Sequence, residues 1–302
     1  MSAAIVAPRM RWPLRAAAWL IAAALVVVAV RRIDFGALGS ALRGTAWGWV
    51  VLATVCAVVG NTLAQTRRWQ ALLEPIPHRQ RASFFDLARV SLASGAVSSL
   101  LPARAGEALR VIELKRRRGY PAGPLIAAQL AEKGIQAISL GLVLGICALL
   151  PGAWAPPLAL AGALALTAVA LLAVLPRRAP GVAGRFLDAL RTLHAERSWV
   201  WSLLWSMVSD AVDLLLVGLC LRALGIEVHP GVWAMVLLSI NLALLLPSTP
   251  GHFGILEAGA VVALTTAGVA AAPALAFALV YHAVQLVPGT VLGALAISVP
   301  WK

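Results

Sequence analysis

Long apolar runs separated by short basic clusters constrain this chain more than any other feature. A helix needs about 20 apolar residues to cross the hydrocarbon core of a bilayer. Six segments qualify, roughly 12–30, 46–66, 121–150, 156–175, 199–222 and 274–298. In water, charge would have to cover that surface, yet only 12% of the 302 residues are charged and 61% are hydrophobic. An average soluble chain carries about 25% charged residues. Lipid as solvent removes the difficulty. The expected fold class is all-α, a polytopic integral membrane protein forming a single membrane domain over 1–302, with no soluble catalytic domain.

Two further apolar stretches, about 83–118 and 233–270, are interrupted by Pro and Gly. The first contains SLASGAVSSLLPARAGEALRVIEL and the second LSINLALLLPSTPGHFGILEAGAVV. Each half is too short to span. Irregular backbone at membrane depth survives only where protein buries it or a cavity solvates it. Each stretch is therefore expected to be a re-entrant helical hairpin that returns to its own side, giving about six full transmembrane helices plus two hairpins. The basic residues agree with this count. With the N-terminus inside, the clusters at 9–15, 67–81, 115–118 and 177–197 all face the cytoplasm, and only Arg31, Arg32, Arg43 and Arg222 face out. Had either broken stretch crossed fully, the bias beyond it would invert. Both termini are thus expected in the cytoplasm, with a bacterial inner membrane as the location.

The net charge of +13 is read as attraction to an anionic leaflet. No aromatic interleaving for base stacking accompanies it, so a nucleic-acid partner is not expected. Cys56, Cys147 and Cys220 lie in separate apolar runs and form no CxxC. Arg31 and Arg32 close the first run without a cleavage site, so it reads as an uncleaved span rather than a signal peptide. In the polar link 177–198, Phe186, Leu187, Leu190 and Leu193 recur at helical spacing among arginines. That pattern suits an amphipathic cytoplasmic helix on the inner leaflet or an ordinary solvated linker helix.

The two breaks resemble each other. Leu101-Pro102-Ala103-Arg104-Ala105-Gly106-Glu107 echoes Leu246-Pro247-Ser248-Thr249-Pro250-Gly251, with Glu257 further on. Each lies between two full spans, in units 46–150 and 199–298 that start on opposite faces. Inverted repeats of this kind build transporters whose sites lie at mid-membrane, where broken helices meet and half-helix N-termini favour anions. The alternative is a chance likeness, since Leu-Pro and Gly are common in membrane helices.

Ionisable side chains inside a bilayer need partners or a wet cavity. Arg104, Glu107 and Arg110, at i, i+3 and i+6, share a helical face. They form either a net-positive pocket for a lipid phosphate or an Arg–Glu–Arg lock on the hairpin. Glu132 and Lys133 are adjacent and must point apart, so one of them can reach Arg104 or Arg110. Asp210 and Asp213 share a face. They either pair with an arginine across the repeat interface or carry protons. Glu257 either carries a proton or partners His282. His252, in the break, is a substrate contact or a helix cap. Gly289 and Gly293 form a GxxxG suited to close helix packing. No HExxH, GxSxG or Walker loop is present, so neither a metal nor another cofactor is expected.

Three segments resemble one family. NTLAQTRRWQALL (61–73) is similar to its Arg-Trp element, LPARAGEALR (101–110) to its Pro-x-Arg-x-Gly-Glu-x-x-Arg element, and LPSTPGHFGILE (246–257) to its Pro-Gly-x-x-Gly-x-x-Glu element. The family is the transmembrane region of lysylphosphatidylglycerol synthases, with its stand-alone flippase-like relatives, and the resemblance runs from about 12 to 298. It implies lipid translocation, and carries Arg104, Glu107, Arg110, Gly251, Gly254 and Glu257 over as substrate-binding positions. In the full-length synthases an attached cytosolic domain makes the aminoacylated lipid. The chain stops at Lys302 without it and is not expected to do that synthesis. Two departures stand out. Relatives usually carry Glu-Arg followed by Asp where this chain has Glu132-Lys133 and Gln136, and often Tyr-Arg where it has Tyr281-His282.

The expected function is a lipid translocase that moves an anionic phospholipid or a polyprenyl-phosphate-linked lipid between leaflets. It is not expected to be an enzyme. Its partners would be membrane lipids with anionic head groups, and a homo-oligomer is compatible with it. The rival readings are a membrane-embedded lipid-modifying enzyme, with Glu107 or Glu257 as base, and an accessory subunit of a lipid or glycan synthesis pathway.

Overall fold

The computed structural model describes residues 35–100, 105–152, 154–174, 198–245 and 250–298. The expected span 12–30, residues 177–197 of the linker and Arg104 lie outside them. The described residues are helical and contain no strand. Helix α1 covers Phe35–Arg43 and α2 Trp47–Leu73. The halves of the first broken stretch are α3 (Phe84–Leu100) and α4 (Ala105–Arg118). Next come α5 (Ala122–Cys147), α6 (Ala155–Val174) and α7 (Ser198–Ala223). The second broken stretch yields α8 (Pro230–Ala243), a 3₁₀ turn at Pro250–His252 and α9 (Ile255–Thr266), followed by α10 (Ala271–Ser298). Of these, α2, α5, α7 and α10 are long and apolar enough to cross a membrane.

The sequence of α7 shows how the solvent is reversed. Over its first three turns the buried side is a seam of Ser198, Ser202, Ser206 and Ser209, while Trp201, Leu204 and Val208 face outward; beyond them Leu216, Val217 and Cys220 are buried. A soluble helix would do the opposite, and an exposed apolar face of that size would associate in water. Lipid solvates it instead. Small inward residues let helices approach closely, which is the main packing device available without a hydrophobic drive. Helix α7 packs on α2 and α5, and a Cβ on Gly60 would lie 2.8 Å from the Val212 side chain. Helices α5 and α6 cross where a Cβ on Gly145 would lie 2.8 Å from the Gly162 Cα. The GxxxG in α10 is split: Gly293 packs against the Leu92 carbonyl, but nothing lies within 4 Å of a Cβ on Gly289.

The ends of the first broken stretch meet. The Gln80 N–H donates to the Arg118 carbonyl at 3.1 Å, and Arg118 Nη2 donates to Asp86 Oδ2 at 2.7 Å. Arg89 Nε donates to the Ala296 carbonyl at 2.8 Å, bringing the last turn of α10 to the same end. A cation suits those terminal carbonyls. At the opposite end the Ala46 N–H donates to Ala223 O at 2.7 Å, and Trp154 stacks on His229 with centroids 4.6 Å apart.

Both broken stretches are fastened in the same way. Ser94 Oγ donates to the Gly106 carbonyl at 2.7 Å, and Ser239 Oγ donates to the Gly259 carbonyl at 2.8 Å. In each, the glycine gives the serine-bearing helix room. A Cβ would lie 1.8 Å from Ser94 O at Gly106 and 2.9 Å from Ser239 O at Gly259. Long-range packing then sets α3 against α10 and α8 against α9.

One boundary differs from expectation. Helix α2 does not end near 66 but continues to Leu73. Arg68, read from the sequence as part of a cytoplasmic cluster, is therefore inside the helix and only 3% exposed. Its charge is neutralised within the protein, so the helix had no need to stop there.

Candidate functional site

The 3₁₀ turn of the second broken stretch packs against α3 of the first. The 3₁₀ turn holds Gly251 at φ 69 and His252 at φ 60, and His252 is the one non-glycine with positive φ among the described residues. A Cβ on Gly251 would lie 3.6 Å from the carbonyl oxygen of Ser99 on α3. Beside this junction is a cavity of about 380 Å³. Its polar lining includes Asn61 and Gln65 from α2, Ser91 and Ser99 from α3, Asp213, Asn241, His252, and Tyr281, His282 and Gln285 from α10. Among the expected site residues, Gly251, His252, Asp213 and His282 line it, whereas Glu107, Arg110, Gly254, Glu257, Glu132, Lys133 and Asp210 do not.

Asp213 is held by amides. Asn61 Nδ2 donates to its Oδ1 at 2.9 Å and Gln285 Nε2 at 3.3 Å. Gln285 also donates to the Tyr281 hydroxyl oxygen at 2.8 Å, and Ser209 Oγ donates to Asn61 Oδ1 at 3.0 Å. Asn61 closes a π-helical turn, Ala57–Asn61, inside α2. Such turns carry one extra residue and often re-aim a functional side chain. Asp210 accepts a hydrogen bond from Ser139 of α5. Among the described residues, the hydrogen bonds to these two aspartates come from neutral donors rather than from arginines. Neutral donors reach them first, because α2, α5 and α10 present amides and a hydroxyl at that depth.

Glu132 collects the densest set of donors. Arg68 Nε and Nη2 both donate to its Oε1, at 3.1 and 2.7 Å. Trp69 Nε1 and Arg110 Nη1 donate to Oε2, at 2.9 and 3.1 Å. With the Gln136 amide turned, its oxygen accepts from Arg68 Nη2 at 3.0 Å and Nη1 at 3.2 Å. The Arg110 guanidinium stacks on the Trp69 ring, 4.6 Å from its centroid. Two arginines around one carboxylate leave a net positive charge within the bundle, and the buried Arg110 Nε has no hydrogen-bond partner.

An Arg–Glu–Arg arrangement thus exists among the described residues, formed by Arg68, Glu132 and Arg110, with Arg110 shared with the set expected from the sequence. Glu107 meets Lys133, Oε1 to Nζ at 3.0 Å. The adjacent Glu132 and Lys133 do point apart, and Glu132 is the one that reaches Arg110. Sequence reading missed Arg68, Trp69, Asn61, Gln136 and Gln285 as site residues. The available signal was the Arg-Trp element itself, which carries Arg68 and Trp69.

At the second break, Glu257 Oε2 accepts from the Gly254 N–H at 2.7 Å, at the start of α9. His282 bridges Glu257 and the break. Its Nδ1 lies 2.6 Å from Glu257 Oε1 and its Nε2 lies 2.8 Å from the Gly251 carbonyl oxygen. The Phe253 ring packs on the imidazole, 4.8 Å between centroids. Among the described residues no three His, Cys, Asp or Glu side chains gather closely enough to hold a metal ion.

A family model described as lysylphosphatidylglycerol synthase TM region matches residues 15–293. No curated protein matches the chain.

Proposed function

The chain belongs to the family of lysylphosphatidylglycerol synthase transmembrane regions, and from that premise we propose that it is a transporter, moving an anionic lipid between the leaflets of a bacterial inner membrane. The reading takes the chain as six full spans with two re-entrant hairpins in inverted repeats, both termini cytoplasmic. The contact between the two ends of the first stretch supports a hairpin there, and the paired serine–glycine fastenings support a repeat. Membrane lipids are its partners.

One observation carries the proposal: a buried cluster of two arginines on one carboxylate, in which Arg110 is the detachable member. Arg110 holds Glu132 by a single bond at 3.1 Å and its side chain is 12% exposed. Arg68 makes two bonds to the same carboxylate at 3% exposure. If Arg110 leaves, Arg68 and Trp69 still satisfy Glu132. A lipid phosphate can therefore compete for Arg110 without stranding a buried carboxylate, and a guanidinium suits phosphate geometrically. Arg104 joins it on the phosphate, and Glu107 and Glu257 exchange partners as the site opens to each side. His252, Gly251 and Gly254 form the irregular backbone against which the head group moves.

Vesicles of phosphatidylcholine with fluorescent phosphatidylglycerol, reconstituted with the purified chain, test the reading without nucleotide. Lipid of the inner leaflet becomes accessible to an external quencher, and Arg110→Gln lowers that rate by at least about tenfold, the loss of one charge-assisted contact. Equal rates in protein-free vesicles defeat the proposal. Chemical change of the lipid, read by mass spectrometry, replaces it with an enzyme.

A further inference from the structure

The hydrogen-bond geometry at the second break fixes a proton count. Both ring nitrogens of His282 face acceptors, the Glu257 carboxylate and the Gly251 carbonyl. A neutral imidazole has one N–H and one lone pair. A neutral ring beside an ionised Glu257 would therefore turn a lone pair on an oxygen. The observed geometry is satisfied only when the pair carries one additional proton, either on the imidazole or on the carboxyl group donating to Nδ1.

We propose that Glu257 and His282 form a proton-binding latch whose single proton is taken up and released as the second hairpin closes and opens, so that lipid movement is coupled to a proton. The coupling rests on the translocase reading, whereas the latch itself does not. Release goes to the cavity, which His282 lines. The neutral ring keeps its stronger bond, Nδ1–H to the carboxylate, and Nε2 can no longer donate to Gly251. The bond lost is the one that fastens the left-handed Gly251–His252 turn to α10.

The surroundings leave this pair to itself. On α10 the other titratable group facing inward is Tyr281, which accepts from Gln285. From α7 come Asp213, bound by Asn61 and Gln285, and the thiol of Cys220. From α2 comes the Cys56 thiol, and from the break His252. On α3, Arg89 holds the far end of α10 and Asp86 pairs with Arg118. Helices α8 and α9 add no titratable side chain besides Glu257. Arg43 ends α1, which also packs on α10. The corresponding carboxylate of the first stretch, Glu107, is paired with a lysine. A lysine ammonium offers only donors, so it satisfies a carboxylate without an added proton. That pair therefore cannot act in the same way.

Two measurements test the latch. In detergent, hydrogen exchange of segment 250–257, corrected for intrinsic pH dependence, should rise about tenfold as pH is raised, the effect of one lost hydrogen bond. In His282→Gln it should be flat with pH. Exchange that is flat in the unaltered protein, or that keeps its pH step in His282→Gln, overturns the latch whatever the transport activity. In phosphatidylcholine vesicles with fluorescent phosphatidylglycerol, an imposed pH gradient should change the translocation rate severalfold, and the ratio of rates with and without gradient should fall to one in His282→Gln. Translocation indifferent to the gradient, with the exchange step intact, removes the coupling and leaves the translocase. No translocation under any condition removes the translocase and leaves the latch to stand or fall on exchange.

Discussion

The two broken stretches are built to one plan and finished differently. Each fastens its outgoing helix to its returning helix by a serine hydroxyl on a glycine carbonyl. Each returning helix carries a glutamate that meets a basic residue on the helix that follows. In the first, the Lys133–Glu107 pair is 45% and 34% exposed. In the second, His282 and Glu257 are 5% and 11% exposed. Under the proposed transport cycle, one pair wet and the other sealed is the asymmetry expected of a single conformation. The difference teaches that small residues can set a shared frame while the acid–base pair on it is covered in one stretch and exposed in the other.

Substitutions can break or sharpen this comparison. The largest effect should come from neither stretch but from the cluster beside the first. Arg68→Ala leaves Glu132 buried with fewer donors, and should destabilise the detergent-solubilised protein by about 3–5 kcal/mol in unfolding measurements. Adding Glu132→Gln should recover much of that loss. His282→Ala leaves Glu257 with the Gly254 N–H, at a cost of about 3 kcal/mol. Lys133→Ala, at an exposed pair, should cost below about 1 kcal/mol. Equal costs for the two would mean that the difference in burial has no energetic meaning. Between these lies the glycine comparison. Gly106→Ala puts a methyl 1.8 Å from a backbone oxygen and should cost about 1–3 kcal/mol. Gly259→Ala, where the approach is 2.9 Å, should cost less than Gly106→Ala in the same assay.

Much of the architecture is legible in sequence because a bilayer forbids most alternatives. Apolar runs had to become helices, and the breaks at Pro102 and Pro247 had to divide what surrounds them. The helices flanking each break fall where the hydropathy places them. Partner choice was harder to read. The basic clusters that end spans made Arg67 and Arg68 look alike, yet Arg67 is exposed and Arg68 is buried. Their separation is one step around α2, and what decides it is Glu132 on a helix 64 positions away. Neutral donors were equally silent. Asn61, Ser139 and Gln285 carry no charge to draw notice, but they satisfy Asp213 and Asp210 where arginines were considered. Gln136, a visible departure from the family pattern, stands beside Arg68 and keeps an acceptor for it.

Sidedness of the two stretches is the claim on which the rest depends. Single cysteines at Gln80, Arg116, Glu227 and Thr266, on a background lacking the native thiols, can be labelled with an impermeant reagent in sealed vesicles of known orientation. The account predicts that positions 80 and 116 react from one side only, and positions 227 and 266 from the opposite side only. Reaction of either pair from both sides, or of all four positions from the same side, would contradict it.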